Sequence, residues 1–180
     1  MIYNEEIYRQ TITFAGRAHA NHKIPGTEIP YITHLASVAM ETLSAIINTP
    51  NSGLNTDLAL QCALLHDTLE DTPTSYQELE VSFGKEVAQG VLALTKNSKL
   101  ATDKQMADSL ERILLQPIEI RIVKMADRID NLYLPAIYWT VKKRQYYQNE
   151  AQMILNTLGG VNGYIENRLR QKIEAYAKYF

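Results

Sequence analysis

The sequence predicts an all-α fold, and three observations carry that expectation. Apolar residues recur at helical rather than strand spacing along most of the chain. Period-two alternation bounded by hairpin turns is absent. Capping residues and glycines punctuate the apolar runs where helices should begin and end. The chain has 180 residues, of which 46% are hydrophobic and 21% charged. That is enough to bury one full core, so residues 1–180 read as a single domain.

The elements follow in order. Ile7, Ile12, Phe14, Ala15 and Ala18 keep roughly helical spacing, as do Leu35, Val38, Ala39, Leu43 and Ile46 after the opening "IPY". The stretch "NTDLALQCALLHD" starts with Thr56 and Asp57 as capping residues and is then apolar on most sides, which predicts a helix at the domain centre. In "DTPTSYQELEVSFG", Ser75 and Glu78 stand at capping-box spacing and Gly84 is a stop signal, so a short helix is expected. Further helices are expected at about 84–95, 103–114, 117–133, 139–158 and 163–178. "LGGVNG" at 158–163 reads as a stop and restart between helices, because no strand precedes it to make a phosphate-binding loop. Three loops remain, at 21–30, 49–53 and 95–103. The first and third set lysines beside turn-forming residues, which suits an anionic ligand.

Composition excludes several classes. Cys62 is the only cysteine and has apolar neighbours, so it reads as a core thiol in a reducing compartment. Met1 to Gln10 carries Glu5, Glu6 and Arg9 where a signal peptide needs an apolar stretch, and no run is long enough to span a membrane, so a cytoplasmic location is expected. The net charge of −2 argues against a nucleic-acid binder. Between Lys96 and Arg144, however, ten Lys or Arg face six Asp or Glu, a local surplus that could receive a small anion.

The chemistry concentrates in "LLHDTLEDT". His66 and Asp67 are adjacent, so both can serve one ion only if the chain turns there. Glu70 and Asp71 follow four residues after each, and would share faces with them if the helix persists. Carboxylates this crowded repel unless a cation is near. His34 in "YITHLASVA" and Asp127 in "VKMADRIDNL", with Asn131 one turn on, could complete a mixed nitrogen and oxygen sphere suited to Mn²⁺, Fe²⁺ or Zn²⁺. His19 and His22 read as polar helix-end groups or as extra ligands for a second ion.

"HDTLED", with "PYITHLASVA" before it and "VKMADRIDNL" after it, resembles the HD-domain hydrolases of the RelA/SpoT class, in particular the small single-domain alarmone hydrolases of the Mesh1-like group. The resemblance runs from about Thr11 to Tyr147 and implies an HD-domain helical bundle. It implies one Mn²⁺ per chain, held by His34, His66, Asp67 and Asp127, with Glu70 and Asp71 activating water or managing the leaving-group proton. The implied reaction removes the 3′-pyrophosphate from (p)ppGpp-like nucleotides, giving GDP or GTP and pyrophosphate. The partner is thus a small nucleotide, with neither nucleic acid nor membrane involved. The resemblance also nominates Lys23, Lys96, Lys104, Arg112, Asn131, Arg144 and Tyr147 as substrate contacts.

The chain departs from the larger bifunctional enzymes in "AHANHKIPG". His22 stands at their glutamine, and only Lys23 remains of a basic pair. Guanine selection is therefore open. The alternatives are another nucleotide, such as (p)ppApp, the 2′-phosphate of NADPH or a nucleoside monophosphate, and a non-catalytic alarmone-binding module.

Overall fold

The computed structural model describes residues 3–50 and 52–180. Its helices are α1 (Glu5–Ala18), α2 (Ile32–Ile47), α3 (Thr56–Leu65), α4 (Thr68–Asp71), α5 (Tyr76–Phe83), α6 (Lys85–Leu94), α7 (Thr102–Leu114), α8 (Ile118–Asn131), α9 (Val141–Leu158) and α10 (Gly163–Tyr176), closed by a 3₁₀ turn at Ala177–Tyr179. Among the described residues no strand forms, and one isolated antiparallel bridge joins Lys23 to Pro30 across the first loop. The expected all-α class is observed. No described helix is long and apolar enough to cross a membrane.

Local chemistry sets the helix ends. Asn4 opens α1 by accepting from the backbone N–H groups of Glu6 and Ile7 at 3.0 and 3.2 Å. Ser75 caps α5 as expected, accepting from the N–H of Glu78 at 3.2 Å. Gly84, at φ +88°, both ends α5 and opens α6, a conformation that a residue with a β-carbon resists. The restart at 158–163 is also observed. Asn162 caps α10, and the Glu166 carboxylate accepts from the backbone of Gly160, Val161 and Asn162, each at 2.9 Å.

One cap differs from expectation. Asn55, not Thr56 or Asp57, accepts from the N–H of Leu58 at 3.1 Å. Asp57 is occupied elsewhere, accepting from the N–H of Asn4 at 2.7 Å and so tying the start of α1 to the start of α3.

α3 is the central rod, packed against α1, α2, α6 and α8. Leu58, Leu60, Leu64 and Leu65 are each at most 3% exposed, and burial of this kind contributes about 1.5–3 kcal/mol per side chain. On α6, a β-carbon at Gly90 would lie 2.7 Å from Ile120 Cδ1 and 2.9 Å from Cys62 Sγ, so glycine lets three helices close on one another. Cys62 is fully buried, and burial pushes its thiol pKa well up, in keeping with a core residue.

Of the two courses the sequence left open after Leu65, a turn or a continued helix, the chain takes the turn. α3 ends at Leu65, His66 and Asp67 form a joint, and α4 is a separate single turn whose Asp71 N–H donates to the Asp67 carbonyl at 2.9 Å. This break lets two adjacent side chains aim at one point. In a continuous helix they would diverge by about 100°.

Candidate metal centre and active site

Three packed elements bring the ligand candidates together: α2 carries His34, the α3–α4 joint carries His66 and Asp67, and α8 carries Asp127. The His34 and His66 Nε2 atoms lie 3.3 Å apart, and each is 3.6 Å from Asp127 Oδ1. A triangle with those edges has its centre about 2.0 Å from each corner, the length of a bond from imidazole nitrogen to a divalent transition metal. Asp67 Oδ2 adds a fourth donor, 2.9 Å from His66 Nε2 and 3.7 Å from His34 Nε2.

The surrounding hydrogen bonds decide which ring nitrogens face that point. His66 Nδ1 lies 2.8 Å from the carbonyl of Ala63, and His34 Nδ1 lies 2.7 Å from Asp130 Oδ2. Both partners can only accept, so each Nδ1 carries the proton and each Nε2 turns a lone pair inward. Two imidazoles and the Asp127 carboxylate then aim electron pairs at one buried spot, with the Asp67 carboxylate beside them, and only positive charge makes that tolerable.

The electrostatics agree. Burial opposes the charged form of His34, yet the Asp130 and Asp67 carboxylates outweigh it and lift the imidazole to about 9. His66 is likewise raised, against its burial, by Asp67 and Asp127. Burial would raise the two aspartates as well. The imidazole of His66, acting on Asp67, and the ammonium of Lys124, acting on Asp127, instead hold them well below the usual carboxylate range. A divalent ion competes with protons for the same lone pairs. The donor set therefore fits a divalent metal ion.

Three supporting residues went unnoticed in the sequence. Asp130 orients His34, Lys124 Nζ donates to Asp127 Oδ2 at 3.0 Å, and the Tyr31 hydroxyl donates to Asp67 Oδ2 at 2.5 Å. Each had a weak signal: Lys124 and Asp130 lie three residues either side of Asp127, and Tyr31 lies three before His34, one helical turn in each case. Asn131 donates from its amide to Asp127 Oδ1.

Two cavities flank the cluster. The first, about 270 Å³, is polar and is lined by Asp67, Asp71, Lys96, Lys124, Arg128 and Lys143, among others. Counting Glu70, Asp127 and Glu150, it holds five carboxylates against four cations, so one divalent ion turns its charge from net negative to net positive. The second, about 540 Å³, is largely apolar. Ile24, Pro25 and Ile29 from the first loop face Leu134 and Ile137 from the loop after α8, with His34 and Asp130 at its inner end.

Glu70 and Asp71 both line the polar cavity but differ in freedom. Glu70 is anchored, accepting from the backbone N–H of Lys96 at 2.9 Å and from its ammonium at 3.0 Å. Asp71 faces the cavity with its pKa raised, chiefly by burial and then by the charges of Asp67 and Glu70. Tyr147 lines the same cavity, its ring under the Arg128 guanidinium at 3.9 Å.

The other nominated contacts separate. Lys96 and Asn131 reach the polar cavity, but Lys104 is exposed at the start of α7 and does not line it. Lys23 pairs with Glu28 across the first loop and lines neither cavity. Arg112 is a structural cap: it donates to the carbonyls of Leu92, Ala93 and Thr95 at the end of α6 and pairs with Asp108. Arg144 turns to the apolar cavity and donates to the Tyr179 carbonyl at 2.9 Å, while its neighbour Lys143 faces the polar one. His19 is buried against Tyr31, with ring centres 5.1 Å apart, and its Nδ1 meets that of His22 at 3.1 Å. Burial lowers His19 to about 4.

Fold and site together define a class, the helical metal-binding domains built around an adjacent His-Asp pair. The chain belongs to the HD-domain family, whose model matches residues 11–164. It is 35% identical over 170 residues to the guanosine-3′,5′-bis(diphosphate) 3′-pyrophosphohydrolase MESH1 of Danio rerio, covering 90% of this chain and 89% of that protein. It is 36% identical to the bifunctional (p)ppGpp synthase/hydrolase SpoT of Escherichia coli over 69% of its length, which is 17% of that longer protein. A solved structure described as a metazoan ortholog of SpoT that hydrolyzes ppGpp superposes with a TM-score of 0.81 at 24% identity, over 96% of this chain and 97% of that one, and shares the fold.

Proposed function

We propose that this chain is a Mn²⁺-dependent hydrolase that removes the 3′-pyrophosphate from (p)ppGpp-like nucleotides, with one ion held by His34, His66, Asp67 and Asp127. The observation that carries this reading is the placement of one metal-fitting cluster between a polar, charged cavity and an apolar one. A 3′-pyrophosphorylated nucleotide has that same division, with a phosphate end, a nucleoside end and the scissile bond between them. The relatives named above supply the substrate class.

When bound, the ion supplies Lewis acidity, lowering the pKa of water and polarising a phosphoryl oxygen. The protein's own groups do the rest. Lys96, Lys124, Arg128 and Lys143 draw pyrophosphate oxygens into the polar cavity, and Asn131 and Lys124 hold the Asp127 carboxylate in place. Asp71, with its raised pKa and free face, accepts the proton from the attacking water. Glu70 orients Lys96 rather than moving a proton itself.

A second substrate, an adenosine alarmone, is compatible with one observation. The apolar cavity offers aliphatic walls to a base, and Lys23, the remaining basic residue of its loop, is held by Glu28. Such walls discriminate weakly between purines. The test incubates purified protein and Mn²⁺ with pppGpp, ppGpp and ppApp and resolves the products by chromatography. Stoichiometric pyrophosphate with GTP, GDP or ADP is expected. Release of monophosphate, or turnover of none of the three, refutes the reading.

A further inference from the structure

The family match ends at residue 164, yet a wall of the apolar cavity is held by residues beyond it. That wall is the segment between α8 and α9, which supplies Tyr133, Leu134, Pro135, Ala136 and Ile137 to the cavity. Burial alone does not fix it, because only Pro135 of the five is buried while Leu134 is 70% and Ile137 85% exposed. Its position is instead set from the C-terminal side. The Tyr179 hydroxyl donates to the Tyr133 carbonyl at 2.7 Å, and the Lys172 ammonium sits 3.2 Å above the centre of the Tyr133 ring. Arg168 donates to the Tyr133 hydroxyl at 3.4 Å while paired with Glu41 of α2, which anchors the arrangement to the core. Arg144 in turn fixes the Tyr179 carbonyl at 2.9 Å.

We propose that this C-terminal clamp, centred on Tyr179, positions the 133–137 wall to receive the nucleoside portion of the substrate, making Tyr179 a positioning residue for nucleoside affinity. The proposal rests on the nucleotide reading above and deepens it. The clamp touches the apolar cavity alone, since neither Tyr133 nor Tyr179 lines the polar one. Its loss should therefore weaken the nucleoside end of the ligand and leave the phosphate end unchanged.

The experiment compares full-length wild type with Tyr179→Phe, which removes only the hydroxyl, and Tyr179→Ala. Trp139, the only tryptophan, lies within the clamped segment, so its quenching by acrylamide reports how firmly that segment is held, with or without turnover. Calorimetry in Mn²⁺ gives the affinities for GDP and for inorganic pyrophosphate. In Tyr179→Phe the GDP affinity should fall roughly three- to tenfold, the worth of one net hydrogen bond. Quenching of Trp139 should rise, while pyrophosphate affinity and manganese content hold, and the KM for ppGpp should rise more than kcat falls. Tyr179→Ala should show the same pattern at greater amplitude. Unchanged GDP affinity and quenching in both variants overturns the proposal, and so does parallel loss of GDP, pyrophosphate and manganese, which would mark general destabilisation. A wild type that binds GDP but hydrolyses no nucleotide refutes the reaction and leaves the clamp to be judged by the contrast between GDP and pyrophosphate.

Discussion

Asp130 gives the sharpest test of the metal centre, because it touches the cluster only through His34. Its carboxylate accepts from His34 Nδ1 at 2.7 Å, which fixes the tautomer and aims Nε2 inward. The His34 side chain is 5% exposed and that of Asp130 21%, so water replaces this bond poorly. Removing such a partner typically weakens metal binding about 10- to 100-fold. With Mn²⁺ at about 100 times the wild-type Kd, the ion stabilises wild type by about 2.7 kcal/mol, and a 30-fold weaker site by only about 0.9 kcal/mol. At roughly 2–4 °C per kcal/mol for a chain of this size, the Mn²⁺-induced rise in Tm should shrink from about 5–10 °C to about 2–3 °C in Asp130→Ala. Asp130→Asn, which can still accept through its amide oxygen but carries no charge, should fall between the two. The assay is thermal unfolding with and without Mn²⁺, backed by calorimetric titration. Equal Mn²⁺ affinity in wild type and Asp130→Ala would refute the claim that Asp130 sets the ligand geometry.

Asp71→Asn should lower kcat about 10²- to 10⁴-fold with manganese retained, as loss of a general base does, whereas Glu70→Gln should act mainly on KM through Lys96. Because the Asp71 pKa is raised, kcat/KM should fall as pH drops through a value above the ordinary carboxylate value of about 4, where Asp71 becomes protonated and can no longer accept. An acid limb at or below that value counts against Asp71 as the base. Lys143→Ala should raise KM severalfold, more at low ionic strength, while an unchanged KM would remove Lys143 from the phosphate site. Arg112→Ala should lower Tm with KM unchanged, since it leaves the Leu92 and Thr95 carbonyls at the end of α6 without their side-chain donor, and a raised KM would restore Arg112 to the substrate.

Much of the architecture could be read in advance because its causes are local. The cap at Ser75, the stop at Gly84, the restart at 158–163 and the apolar spacing of α1, α2 and α3 depend on residues close in sequence, and the structure realises them. The metal-ligand candidates were nominated through motif resemblance, and the structure gathers His34, His66 and Asp127 about one point, with Asp67 Oδ2 2.9 Å from His66 Nε2. The charged residues were harder to place. Arg144 and Lys143 are neighbours on one helix, so they point about 100° apart, and only the rotation of α9 against α7 and α8 decides which faces the polar cavity. Arg112 looks the same in sequence whether it meets a phosphate or caps a helix, and only the fold shows the end of α6 lying beside it.

The sequence by itself determined that the chain is helical and that its core forms about the 56–65 helix, and its motifs nominated the side chains proposed for metal chemistry. Only the tertiary structure decided that α3 breaks at His66, that Asp130, Lys124 and Tyr31 brace the ligands, and that a polar and an apolar cavity meet at the cluster. The physical reason is range. Hydrogen bonds and side-chain spacing within one turn are written in neighbouring residues, whereas the convergence of His34, Asp67 and Asp127 depends on how whole helices pack.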